Sequence, residues 1–347
     1  MKPARKSNIE LLRIISMIMI IAHHYVYYGI QQNYQKEVAN IIYPSGSLIR
    51  KMWTVFLLPG GVVGVGIFFI IAGYFGIEQN KVSISKIVQP VTFYGLCGCI
   101  VYMILSLHKG NTITVDLIIK SLFPLGGSLY WFATVYLILM LVKPYLNGII
   151  KSLSKGGFIL LILSLLLEYS ALRLINGHYF GLIEGVLYYC IGAFIKIRIN
   201  LFEKTSHIFY LIGFLICWFL YVFIDQLALR WGGIISIVIC GTFCSVFIVL
   251  SFVAIKPFCN NYINKISKHS FGVYLFHEHI LLREFFWGDL LKVESFQWKS
   301  KFFILLSLLC IFAIFIMGCL FDYMTQKYIY NKIGNKVKKY IFEELRK

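Results

Sequence analysis

Four ionisable residues, Glu10, Arg13, His23 and His24, lie inside one apolar stretch near the start of the chain, Ile9–Gly29 (IELLRIISMIMIIAHHYVYYG). The stretch is long enough to cross a bilayer. An ionisable group at membrane depth costs about 2.5–3.5 kcal/mol on insertion scales, so it needs a partner or a task. Arg13 and His24 stand eleven positions apart. At about 100° per residue they return to within about 20° of one direction, which puts both on a single helical stripe, about 16 Å apart along its axis. His23 points roughly 80° away from that stripe. Glu10, three residues before Arg13, is within reach of an i,i+3 ion pair.

An arginine in such a place binds phosphate bidentately. A histidine takes a proton from a hydroxyl near neutral pH. A cofactor with phosphates at one end and a long narrow arm would span the distance between them, and coenzyme A has that shape. The plainer alternative is that Arg13 and His24 snorkel to opposite headgroup layers. Spacing alone leaves both open.

Other polar groups at membrane depth are weighed the same way. His277 lies about 13 Å into a later apolar run, deeper than interfacial decoration requires. Glu278 and His279 point to other faces of that helix, at about 100° and 200°, and read as a helix contact and an outer-end group. Glu184 either faces the bundle interior as a functional group or is a buried ion pair or protonated acid. Tyr130 and Trp131 open a span, where they either stack on a sugar or belong to the interfacial aromatic belt. His108, His178 and His207 fall in loops or at helix ends and read as solvated.

These residues need a scaffold, and composition says which. The 347 residues are 59% hydrophobic and 14% charged, with mean hydropathy +0.78. A soluble domain is nearer 45–50% apolar and about 25% charged, so the chain reads as an all-α integral membrane protein. Apolar runs without ten-residue alternation exclude a β-barrel. The net charge of +18 reads as basic loops facing anionic lipid rather than nucleic-acid binding. The nine cysteines fall mostly in apolar runs, and Cys97-Gly-Cys99 is not a metal spacing, so no metal is expected. Walker, dinucleotide and zincin motifs are missing, which excludes ATP-driven pumps and zincin proteases.

Runs of 17–25 apolar residues predict about ten spans, near 8–30, 55–77, 87–107, 129–148, 157–174, 180–197, 207–224, 232–255, 269–285 and 302–323. The first is too long for a signal peptide and lacks a cleavage site. With the N-terminus inside, the inner segments carry twenty-one Lys and Arg residues against eleven outside. That bias places both termini in the cytoplasm and lays the basic tail 324–347 along the inner leaflet lipid. The longest outer loop, 31–54, is too short for an extracellular domain, so 1–347 reads as one membrane domain. The Ile-, Lys- and Asn-rich composition points to an AT-rich bacterial gene and hence to a multi-pass protein of the bacterial plasma membrane.

Several motifs then fall in order along the chain. Glu10-Leu-Leu-Arg13 with His24 resembles the R-x10-H signature of the acyltransferase-3 family of integral membrane acyltransferases. Gly66-Ile-Phe-Phe-Ile-Ile-Ala-Gly73-Tyr-Phe resembles its G-x-x-F-F-x-x-S-G-F segment, with Ala72 where Ser is common. Leu129-Tyr-Trp131-Phe, followed by Lys143-Pro144-Tyr-Leu, resembles its L-W-F/Y stretch and the proline that closes that span. Ile266-Ser-Lys-His-Ser270-Phe-Gly-Val-Tyr274-Leu-Phe-His277 resembles its I-S-x-x-S-Y-x-x-Y-L-x-H. The resemblance implies transfer of an acyl group, usually acetyl from acetyl-CoA, to a hydroxyl of a cell-surface polysaccharide, as in capsule or exopolysaccharide biosynthesis, or of its lipid-linked glycan precursor.

By position, Arg13 would bind the acyl-CoA, with Glu10 orienting it, and His24 would act as general base or transient acyl carrier. Tyr130, Trp131, His277 and Glu184 would touch the acceptor. A transporter or flippase for a lipid-linked oligosaccharide is the leading alternative. It would also place ionisable groups in a bundle, but the duplicated halves common in transporters are not seen.

Overall fold

The computed structural model describes residues 6–31, 48–79, 84–109, 129–176, 181–202, 204–226 and 235–330, with 115, 119 and 123–125 between them. Within these the chain is helical, and no strand occurs among the described residues. Among the described residues, eight helices are long and apolar enough to cross a membrane.

The first, α1 (Ser7–Val26), runs on through a π-helical turn at Tyr27–Gln31. Its start is fastened to the far end of the sequence. The Ser7 amide donates to the Phe258 carbonyl at 2.9 Å, and the Asn8 side chain donates to the Phe252 carbonyl at 2.8 Å.

α2 (Leu48–Leu57) and α3 (Gly60–Gly76) follow, separated by a short turn at Leu58–Pro59. Residues 48–54, expected in a loop, thus begin a helix, because α2 and α3 form one apolar run. The glycines of α3 let it lie against two neighbours at backbone distance. A Cβ on Gly73 would stand 2.0 Å from the Tyr189 carbonyl oxygen, and one on Gly192 would stand 2.0 Å from that of Ile70. No side chain fits there, so glycine at both positions sets the separation of α3 from α7 (Gly181–Ile197).

Between them come α4 (Ser85–His108), α5 (Trp131–Ser152) and α6 (Lys155–Asn176). Pro144 does not close α5 as expected. The helix continues past it to Ser152, as apolar surroundings and neighbouring helices tolerate a mid-helix proline. α7 has 17 residues, about 26 Å of helix, and is largely buried, packed on α3, α5 and α6.

α8 (His207–Gln226) and α9 (Gly241–Ala254), the latter preceded by a π-helical turn at Ile235–Cys240, pack side by side. Leu163 and Leu167 on α6, Phe219 and Phe223 on α8, and Leu309 and Ile316 on α12 (Phe303–Thr325) are exposed. Such faces suit lipid rather than water.

The span expected over 269–285 is not one helix. A short α10 (Asn261–Ile266) leads through Ser267–His269 into α11 (Ser270–His277), which stops after two turns. Glu278 and His279 are not helical, and the chain resumes as short 3-10 and π-helical turns over Ile280–Leu282 and Phe285–Leu290. Irregular backbone at this depth is tolerated only where protein or a cavity receives it. Here α11 packs on α1, α4 and α12. Asp322 of α12 fastens its start, accepting from His269 at 2.7 Å and from Tyr94 at 3.1 Å. His178 and the tail 331–347 lie outside the described residues.

Candidate active site

A cavity of about 600 Å³ runs along α1, and both Arg13 and His24 line it. Met17 and Ile20 line it between them, at the steps of 4, 3 and 4 that keep one helical stripe facing one way. The cavity is bounded opposite by α3, α5 and α7, and by the segment around α11. His23 also borders it, with its Nδ1 2.6 Å from the Leu58 carbonyl oxygen and its ring stacked on Tyr27 at 5.4 Å. The cavity therefore covers more of α1 than the stripe alone.

At the Arg13 end the cavity wall is cationic and hydroxylic. Arg13 pairs with Glu10 at 3.6 Å, and Glu10 also accepts a short hydrogen bond from Ser267. Glu10 is buried and does not line the cavity. It acts by holding Arg13. Ser267, Lys268 and Ser270 line the cavity at this end. The Ser270 hydroxyl is buried without a hydrogen-bond partner among the described residues. Two cations and an unsatisfied hydroxyl facing one space suit a phosphate-bearing ligand.

At the other end His24 is enclosed by groups from the break after α11. Its Nδ1 lies 3.1 Å from the Nε2 of His277 and 3.1 Å from the Oε2 of Glu278. His277 turns its other nitrogen, Nδ1, to the Val273 carbonyl oxygen at 2.6 Å. Glu278 is wholly buried and forms a short ion pair with Arg283. It also accepts from the Tyr28 hydroxyl at 3.2 Å, and the Arg283 guanidinium lies over the Tyr28 ring, 4.3 Å from its centre.

Glu278 was expected to point away as a helix contact. That expectation assumed a continuous helix. Because α11 ends at His277, the next residue leaves the helical path (φ −105°, ψ 12°) and its carboxylate reaches His24.

The remaining candidates divide. Trp131 and Glu184 line the cavity, Glu184 in the company of Arg173 and Tyr221. Tyr130 does not. It is buried in packing, donating to the Leu275 carbonyl at 3.1 Å and lying edge-on to the His279 ring at 5.6 Å, so a sugar-stacking role does not fit it. His277 stands behind His24 rather than on the cavity wall, so direct contact with an acceptor does not fit it either.

The ligand atoms of His24, His277 and Glu278 lie within 4.8 Å of one another, a spacing a cation could bridge. Arg283 already neutralises Glu278. A divalent ion would therefore leave uncompensated charge in a low-dielectric interior.

One cavity thus joins a histidine with a carboxylate behind it to a cationic patch at its far end. The family's acyltransferase domain model matches residues 6–322. The chain is a member of the acyltransferase-3 family, a multi-pass membrane acyltransferase. No curated protein and no solved structure gives a significant match.

Proposed function

We propose that this acyltransferase moves an acetyl group from cytoplasmic acetyl-CoA to a hydroxyl of a cell-surface polysaccharide or its lipid-linked precursor in a bacterial plasma membrane. The observation that carries this reading is that Arg13 and His24 share one cavity, about 16 Å apart along α1. That distance suits a donor gripped by its phosphates with its thioester delivered to the histidine. Arg13, with Lys268 beside it, holds phosphate. Ser270 offers the phosphate a hydrogen bond.

His24 is the general base that takes the acceptor hydroxyl proton. Trp131 and Glu184 face the acceptor, Trp131 by stacking and Glu184 by hydrogen bonding to sugar hydroxyls. No metal takes part, since Arg283 already supplies the charge that balances the carboxylate. In this reading the chain forms a single domain that crosses the membrane about ten times. α7 and the broken segment around α11 complete the eight long helices, and both termini lie in the cytoplasm with the basic tail against lipid.

Membranes carrying wild type, Arg13→Ala or His24→Ala are incubated with radiolabelled acetyl-CoA and the cell's own glycan, and alkali-labile acetate is counted. Wild type is expected to label the glycan. His24→Ala is expected to lose at least about a hundredfold in rate, and Arg13→Ala to recover only at raised acetyl-CoA. Label in His24→Ala membranes equal to wild type would remove the base role. No label with folded wild type would overturn acetyl-CoA as the donor and point to another acyl donor.

A further inference from the structure

We infer that Glu278, held by Arg283 and Tyr28, is a positioning residue of His24 that stabilises the cation formed during transfer, while His277 fixes which ring nitrogen carries the proton. The inference rests on the reading of His24 as base.

Hydrogen-bond direction carries the first half. The Val273 carbonyl oxygen can only accept, so the His277 Nδ1 beside it at 2.6 Å bears a hydrogen. In neutral His277 the Nε2 is then a lone pair. His24 Nδ1 faces that lone pair at 3.1 Å and the Glu278 carboxylate at 3.1 Å. That lone pair can only accept, so His24 Nδ1 is the protonated nitrogen and donates to His277. Nε2 makes no hydrogen bond among the described residues and bears the lone pair a base needs.

Charge carries the second half. As the acceptor oxygen bonds to the thioester carbonyl carbon, its proton passes to His24 Nε2. When the carbon–sulfur bond breaks, the leaving sulfur takes that proton from Nε2. An ester and a free thiol result, and His24 is restored. Between the two transfers His24 is an imidazolium in a water-poor interior, where an uncompensated cation is costly. The Glu278 Oε2 already lies 3.1 Å from Nδ1 and makes no hydrogen bond among the described residues, so its negative charge is in place when the cation appears. Arg283 and Tyr28 occupy the other carboxylate oxygen, Oε1, which leaves Oε2 aimed at the ring. Acceptor hydroxyl, His24 and Glu278 thus form a hydroxyl, imidazole and carboxylate array in which the hydroxyl belongs to the substrate and the carboxylate acts on the ring by its charge.

The test uses the full chain in lipid nanodiscs, with acetyl-CoA as the varied substrate and the native glycan as acceptor. Glu278→Gln keeps the shape and removes the charge. It is expected to lower kcat by about 10²–10⁴-fold. The KM for acetyl-CoA should stay within about twofold of wild type, because the phosphate end of the cavity is untouched. Glu278→Asp is expected to recover at least about tenfold of that loss, which a purely structural role would not give. If Glu278→Gln alone fails to fold because Arg283 is left unpaired, the double variant Glu278→Gln with Arg283→Met removes both charges and is expected to fold with the same kcat loss.

Unchanged kcat in a folded Glu278→Gln protein, or a loss that appears only in KM, overturns the inference while leaving His24 as base. Retained activity in His24→Ala would instead sink the base reading itself. Stoichiometric zinc in purified wild type, removed by a chelator together with activity, would overturn the positioning role and make Glu278 a metal ligand.

Discussion

The two ends of α1 each set a buried carboxylate against an ionisable partner, and they do it in opposite ways. At one end carboxylate and cation both belong to α1, Glu10 and Arg13, three residues apart, with Ser267 as an outside support. At the other end only His24 belongs to α1. Its carboxylate, Glu278, comes from the break after α11 and is fixed by Arg283 five residues further on. The first pair is local and keeps its cation partly open to the cavity, Arg13 being 30% exposed. The second is non-local, and its carboxylate is wholly buried. The difference suits the two proposed tasks. A group that grips a ligand must face it, whereas a group that positions a base must be shielded from competing partners.

The sharpest way to break this comparison is to remove each cation in turn. Arg283→Met strands the buried Glu278 charge and should destabilise the protein by about 3–5 kcal/mol. The same change at Arg13 should cost under about 1 kcal/mol, since that pair is partly exposed. Thermal unfolding in detergent measures both, and equal losses would erase the distinction between the two ends.

A smaller effect is expected from Arg13→Lys, which keeps the charge but loses the bidentate grip. The KM for acetyl-CoA should rise about tenfold with kcat nearly unchanged. A fall in kcat at constant KM would move Arg13 out of the donor site. The smallest effect is expected from Tyr28→Phe, which removes one hydrogen bond to Glu278. A net loss of about 0.5–1.5 kcal/mol corresponds to a fall of roughly 2–10-fold in turnover. A larger loss would show Tyr28 acting on the substrate directly, which its place on the cavity wall permits.

Much of the Arg13 end was legible without coordinates. Helical periodicity put Arg13 and His24 on one stripe, and they line one cavity. The three-residue spacing put Glu10 beside Arg13, and they pair. The His24 end was legible only in part. His277 stood out by its depth, but the helical wheel turned Glu278 away, because a wheel assumes an unbroken helix. The same assumption drew one span across 269–285, whereas the expectation that Pro144 closes its span came from the family resemblance and the helix runs on to Ser152. Tyr130 looked like an entrance residue because it opens a span, and only packing showed its hydroxyl committed to Leu275.

What the sequence determined by itself follows from short-range physics. Composition set the solvent as lipid, apolar run length set the long helices, and helical periodicity set which groups on α1 face together. The tertiary structure decided where α11 stops, which side of His24 the Glu278 carboxylate occupies and which aromatic reaches the cavity. Those depend on contacts between residues some 250 positions apart, as Tyr28 and Glu278 are. No local pattern records such a distance, because the energy that fixes it comes from burying charge and backbone against other helices rather than from the helix itself.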